Sequence, residues 1–257
     1  MKPSRRLTAD KIKAREAAEE IADSINEQVF ENPNPIRRLL KVKELTWTPK
    51  QREFFKLALS DETKVMFVSG PAGTAKTLLS VYCGLKLLNK KVISDIMYLR
   101  SAVESSDRSL GYLPGSAEDK LRFYNLPFLD KLEELLSETR TEKLEKENRI
   151  SMFPVNFARG MNWTSKCIIF DEVQNSSAKE IITVLTRMGK HSRCFLLADP
   201  MQTDLRTKEH GFENIFKKFS DEESYEMGIR TFEFTEEDIM RSELVKFLVK
   251  KLRDLNN

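Results

Sequence analysis

The feature that most constrains this chain is an eight-residue turn, Gly70-Pro71-Ala72-Gly73-Thr74-Ala75-Lys76-Thr77. It stands between the apolar run Val65-Met66-Phe67-Val68 and a helical stretch from Leu78 to Leu88. Strand, glycine-bearing turn, lysine, hydroxyl and helix in that order form the phosphate-binding (Walker A) pattern. Such a turn points successive backbone N–H groups inward as an anion nest, and the helix N-terminus adds its positive end. The run Gly70, Pro71, Ala72, Gly73, Thr74, Ala75, Lys76, Thr77 and Leu78 is therefore expected to hold a nucleotide. In that reading Lys76 reaches the β- and γ-phosphates and Thr77 places its hydroxyl on Mg²⁺. One position departs from the pattern: Ala75 stands where a glycine usually precedes the lysine, and its Cβ either crowds the phosphates or strains the backbone if φ is positive there. The plain alternative is a glycine-rich turn with no ligand, and the downstream residues weigh against it.

Cys167-Ile168-Ile169-Phe170-Asp171-Glu172 is an apolar strand ending in two acids. Alone, such acids cap the next helix or meet solvent. Downstream of a phosphate loop, Asp171 is expected to hold Mg²⁺, directly or through water, and Glu172 to polarise the attacking water. Ser177-Ala178-Lys179-Glu180 reads as a capping box for the next helix. A further apolar run, Cys194 to Ala198, ends in Asp199-Pro200-Met201-Gln202. Asp199 and Pro200 make a type I turn, and that turn is expected to aim Gln202 at a γ-phosphate and its water. Upstream, Thr48, Pro49 and Gln51 form a capping box by themselves. The same glutamine amide has the groups to read an adenine edge, and local sequence leaves both roles open.

Short apolar runs alternate with helices from Leu45 onward. Val65–Val68, Ile96–Leu99, a weaker Phe153–Phe157, Cys167–Phe170, Cys194–Ala198 and Thr231–Phe234 read as strands, several apolar enough to be buried on both faces. The fold class is α/β, with a mainly parallel sheet flanked by helices. Glu133 to Arg149 is a charge-dense helical stretch, expected as a solvated surface excursion. Residues 1–44 read as an N-terminal helical extension and linker: Ile12, Ala17, Ile21 and Ile25 make a thin apolar stripe, and Asn32-Pro33-Asn34-Pro35 breaks the chain. Residues 45–257 form the main domain.

The 43 basic residues nearly balance the 40 acidic ones, a net charge of +3, which argues against a protein that coats polyanions. Two histidines and three cysteines show no zinc-ligand spacing, and each cysteine sits in an apolar stretch as a buried, reduced thiol. No apolar run reaches membrane-spanning length and no signal core follows Met1, so a cytoplasmic protein without membrane contact is expected.

These elements together resemble the PhoH family, whose ATPase core is similar to the first motor domain of superfamily-one helicases. The resemblance runs from about Trp47 to about Leu248. Gln51, Gly70 to Thr77, Asp171-Glu172-Val173-Gln174-Asn175 and Asp199-Pro200-Met201-Gln202 resemble helicase motifs in order. Ser101-Ala102-Val103-Glu104, Leu110-Gly111-Tyr112-Leu113-Pro114-Gly115, Phe157-Ala158-Arg159-Gly160, Leu185 to Gly189 and Asp238-Ile239-Met240-Arg241 resemble stretches particular to the family. The short core and Ala75 resemble phage-encoded versions.

The resemblance implies a RecA-like P-loop core that hydrolyses ATP with Mg²⁺, using Lys76, Glu172 and Gln202. It also implies coupling to RNA or single-stranded DNA, with Arg100 and the loop 101–115, including Arg108 and Tyr112, facing the strand. A lone motor domain needs an arginine at the γ-phosphate, and Arg241 and Arg159 are the candidates, expected from a neighbour in a homo-oligomer, a hexamer by family analogy. No appended RNA-binding or nuclease domain is expected. A nucleotide-dependent regulatory switch and a small-molecule phosphotransferase are the competing readings. Adjacent acids and a glutamine sensor favour water as the acceptor over a metabolite.

Overall fold

A computed structural model of the chain describes residues 39–101, 117–158, 162–202 and 211–252. Its elements are α1 (Pro49–Ala58), β1 (Val65–Ser69), α2 (Lys76–Asn89), β2 (Asp95–Arg100), α3 (Ala117–Leu135), α4 (Glu138–Lys146) and β3 (Ile150–Pro154). There follow β4 (Lys166–Asp171), α5 (Ala178–Leu185), β5 (Arg193–Ala198), α6 (Gly211–Lys218), α7 (Glu222–Glu226), β6 (Ile229–Glu233) and α8 (Glu243–Leu252). The six strands form one sheet in the order β3-β2-β4-β5-β1-β6, every pairing parallel.

Both faces of the sheet are covered, which explains why β1, β4 and β5 are buried at every position and apolar through their middles. Met66 and Val68 point into one layer with Phe54, Leu79, Phe128 and Leu132, while Phe67 points into the other with Trp163, Ile181 and Phe212. This is the α/β arrangement expected, a parallel sheet flanked by helices. One strand, β5, separates the phosphate-loop strand β1 from the acidic strand β4, so the loop and the acids flank a common crevice at the carboxyl ends of the strands.

Three boundaries differ from the sequence reading. The weak strand lies at Ile150–Pro154 rather than Phe153–Phe157; Pro154 lacks an N–H, the ladder stops there, and residues 155–158 turn as a 3₁₀ segment. The charge-dense stretch is helical but is not a surface excursion. Leu135, Leu136 and Leu144 are buried in the first core layer, because an apolar stripe runs beneath the charges. Residues 40–44, assigned to the linker, are fastened to the domain, with Leu40 and Val42 packed against its core. Leu40 exchanges hydrogen bonds with the Asn89 side chain at 2.7 and 2.9 Å, the Lys43 N–H donates to the Leu135 carbonyl at 2.9 Å, and Glu44 accepts from the Tyr82 hydroxyl at 2.7 Å. The expected helix near Asp10–Val29 lies outside the described residues. Among the described residues no helix is long and apolar enough to cross a membrane, and Cys83, Cys167 and Cys194 are buried free thiols.

Candidate active site

The phosphate loop is shaped by backbone conformations that few residues adopt. Gly73 has φ +88°, and an added Cβ there would press on the Arg241 side chain at 3.2 Å. Ala75, at the N-cap of α2, has φ 67° and ψ 22°. Left-handed backbone costs a residue with a Cβ about 1–2 kcal/mol, so the alanine keeps the turn under strain. Lys76 folds back over the loop, its Nζ donating to the carbonyls of Gly70 (2.6 Å) and Pro71 (3.0 Å). Burial holds its pKa below the usual lysine value, against the opposing pull of Asp199, Asp171 and Glu172.

The acidic pair stands across the crevice. Asp171, the last residue of β4, is buried, and its Oδ2 accepts from Thr77 Oγ1 at 2.8 Å and from the Tyr98 hydroxyl at 3.0 Å. Its Oδ1 accepts from the Glu172 N–H at 3.0 Å. Glu172 leaves the strand through a left-handed turn, φ 54°. Gln174 Nε2 donates to Glu172 Oε2 at 2.5 Å, and Arg100 lies 3.8 Å from its other oxygen. Burial first, then the Asp171 charge, raises the Glu172 pKa above the usual carboxylate value.

A buried glutamine ties these groups to the neighbouring strand end. Gln174 accepts from the Asp199 N–H at 3.0 Å and also donates to the Gln202 carbonyl at 3.3 Å. Gln202 sits at the end of a 3₁₀ turn over Pro200–Gln202, which the Asp199 carboxylate stabilises by accepting from the Met201 N–H at 3.0 Å. The turn read from Asp199 and Pro200 therefore forms, and it presents Gln202 to the crevice.

One cleft of about 590 Å³ gathers Ala72, Gly73, Ala75, Lys76, Thr77, Leu78, Asp171, Glu172, Gln202 and Arg241. Gly70 and Pro71 line an adjoining cleft on the other side of the loop, beside Asp199 and Glu233. Thr74 is fully buried, its hydroxyl donating to the Pro71 carbonyl at 2.9 Å. The sequence reading expected Arg241 to serve a neighbour; within this chain its side chain lies beside Gly73. The segment after β6 is fastened to the loop by a bond from the Met240 N–H to the Gly73 carbonyl at 2.9 Å, so Arg241 stands against its own phosphate loop. Gln51 is buried in the capping box, its Oε1 accepting from the Thr48 N–H at 3.0 Å, and it does not line this cleft. Arg159, Arg108 and Tyr112 lie outside the described residues. The contacts of Tyr98 and Gln174 and the approach of Arg100 to Glu172 were not read from the sequence. Their signal, a strand neighbouring the acids and a Glu-x-Gln spacing, does not reveal the contacts.

The residues present fit a nucleotide with a divalent cation. A hydroxyl and a carboxylate 2.8 Å apart are hard oxygen donors of the kind Mg²⁺ takes together with phosphate oxygens. The loop amides, Lys76 and Arg241 suit the polyphosphate.

The sequence model for the family described as "PhoH-like protein" matches residues 44–253. A PhoH-like protein of Bacillus subtilis (strain 168) is 35% identical over 158 residues, 62% of this chain and 49% of that protein. A PhoH-like protein of Mycobacterium bovis is 31% identical over 193 residues, 74% of this chain and 53% of that one. The chain thus spans about half the length of these curated relatives. Among solved structures, the Pif1 helicase from Candida albicans aligns over 83% of this chain and 45% of its own, with a TM-score of 0.43 and 17% identity.

Proposed function

The chain belongs to the family of PhoH-like proteins, and from that premise we propose that it is a Mg²⁺-dependent ATPase converting ATP and water to ADP and phosphate. The observation that carries this reading is the 2.8 Å bond between Thr77 and Asp171, which joins the phosphate loop to the acidic strand in the cleft lined by Glu172, Gln202 and Arg241. Thr77 and Asp171 would hold the cation, which supplies charge neutralisation at the phosphates. Lys76 neutralises the β- and γ-phosphates. Gln202 orients a water, and Glu172 accepts its proton as the new oxygen–phosphorus bond forms and the bond to ADP breaks. A carboxylate raised toward neutral pH is a better proton acceptor than an ordinary one. Arg241 serves in cis, stabilising charge on the transferring phosphoryl group. The energy released is proposed to drive remodelling of RNA or single-stranded DNA held by the segment after β2, within a homo-oligomer in which Arg159 is the remaining candidate to act across subunits.

Phosphate release under steady state, with and without RNA or single-stranded DNA, tests the reading. Lys76→Ala is expected to lower turnover at least ~10²-fold, as loss of a pre-placed charge donor does; unchanged turnover would sink the proposal. Mixing Arg241→Ala with Lys76→Ala subunits separates cis from trans. In trans, mixed interfaces pair an intact loop with an intact arginine and regain activity; in cis, none returns. A regulatory switch would show no phosphate release in this assay and tight ATP binding in a separate titration.

A further inference from the structure

Tyr98 stands behind Asp171, the acid proposed above to hold the cation. It lies on β2 and is fully buried, its ring stacked on Phe128 of α3 at 4.7 Å between centroids and 15° between planes. A buried phenol hydroxyl costs free energy unless it is hydrogen-bonded, and here it donates to Asp171 Oδ2 at 3.0 Å. The sheet register makes that reach possible. Tyr98 pairs with Ile169 on β4, and Asp171, two residues further on the same face, stands where the long phenol ring ends.

Asp171 therefore receives three donors: the Thr77 hydroxyl and the Tyr98 hydroxyl on Oδ2, and the Glu172 N–H on Oδ1. Thr77 and Glu172 belong to the site itself. Tyr98 comes from another strand, backed by a helix, and fixes the carboxylate from behind.

We propose that Tyr98 is a positioning residue that holds the Asp171 carboxylate in the rotamer that meets the cation, and so sets the affinity for the divalent ion accompanying the nucleotide rather than for the nucleotide itself. The inference rests on the nucleotide-and-Mg²⁺ reading of the cleft.

The test measures binding, not turnover. A fluorescent ADP analogue is titrated onto wild type, Tyr98→Phe and Tyr98→Leu, first in EDTA and then at fixed analogue with rising Mg²⁺; Mn²⁺ uptake in the presence of ADP is followed by electron paramagnetic resonance. Phenylalanine keeps the ring and its stack and removes the donor. The expected result is an Mg²⁺ half-saturation raised about ten-fold or more in Tyr98→Phe, the scale of a lost hydrogen bond to a charged group. Mn²⁺ uptake weakens in parallel, and affinity in EDTA stays within about two-fold of wild type. The leucine variant shows the same metal shift together with a lower melting temperature. An unchanged half-saturation in Tyr98→Phe, a shift confined to Tyr98→Leu, or an equal loss of affinity in EDTA would each overturn the inference, because each assigns the effect to packing. Wild type that binds no analogue under any condition would overturn the nucleotide reading instead.

Discussion

At the amino-terminal edge of the sheet, Lys166 Nζ donates to both oxygens of Asp95 at 2.9 Å, with side chains only 9% and 5% exposed. Ser94 Oγ adds a bond to the same carboxylate at 2.5 Å, and Arg149 reaches the Ser94 carbonyl at 2.9 Å. At the carboxyl-terminal edge the same residue types behave differently. Lys76 is bonded to backbone carbonyls rather than to a carboxylate, and Glu172 meets Arg100 at 3.8 Å. Burial lowers the Lys76 pKa and raises those of Glu172 and Asp199. One edge consumes its charges internally and fixes the β2–β4 register. The other gathers them around an open cleft.

Backbone strain by itself does not separate the two edges. Left-handed residues occur at Lys91, Asn148, Ser165 and His191 on the amino-terminal side, where Lys91 and Asn148 directly follow the C-caps of α2 and α4. They also occur at Ala75 and Glu172 on the other side. Lys91 and Asn148 turn the chain from helix to strand; Ala75 and Glu172 shape the cleft. The contrast teaches that strain acquires chemical meaning from the charged groups placed around it.

The largest effect expected from breaking this contrast is on stability at the amino-terminal edge. Asp95→Ala leaves the Lys166 ammonium buried without its partner, a loss of about 3–5 kcal/mol. Denaturant unfolding should show it, while turnover per folded molecule stays near wild type; a drop in turnover would mean that the edges are coupled. A smaller effect is expected from Ala75→Gly. Relief of left-handed strain, about 1–2 kcal/mol, is offset by the greater freedom glycine gives the unfolded chain, about 0.4–1 kcal/mol. A net gain of roughly 0.5–1 kcal/mol in denaturant unfolding is expected, and a loss would show that Ala75 is at ease in its turn.

The smallest effect concerns Glu172. Its folded pKa is raised, so folding favours the protonated form; the stability this lends is present below the unfolded pKa and is lost as pH rises through the folded value. Ionised Glu172 is thus mildly destabilising near pH 8, and partial exposure screens the effect. Glu172→Gln is expected to raise the melting temperature by about 1–2 °C at pH 8 and by nothing at about pH 4, below the ordinary glutamate value. A gain of equal size at both pH values would break the electrostatic account.

Much of the cleft was legible because its signals are local. The turn Gly70 to Thr77 lies between a strand and a helix as read, and the capping boxes at Thr48–Gln51 and Ser177–Glu180 form with their reciprocal bonds. Asp171 and Glu172 end a buried strand. Ala75 was read as strained only if its φ were positive, and its φ is 67°. Each of these depends on neighbours within a few residues, whose sterics and hydrogen bonds are the same wherever the segment is placed. The linker and the charged helices misled for a related reason: their polar composition was visible, but the surface they would cover was not.

By itself, then, the sequence determined a strand–turn–helix phosphate loop, an acidic strand end and the α/β alternation around them. The tertiary structure decided that Arg241 faces its own loop, that Gln174 joins the two strand ends, and that Tyr98 stands behind Asp171. These contacts are set by strand order and register. Placing β4 between β2 and β5 brings residue 98 against residue 171 and residue 174 against residue 199. Which strands become neighbours follows from how the apolar faces of the whole chain are buried together, a global free-energy minimum that no local spacing encodes.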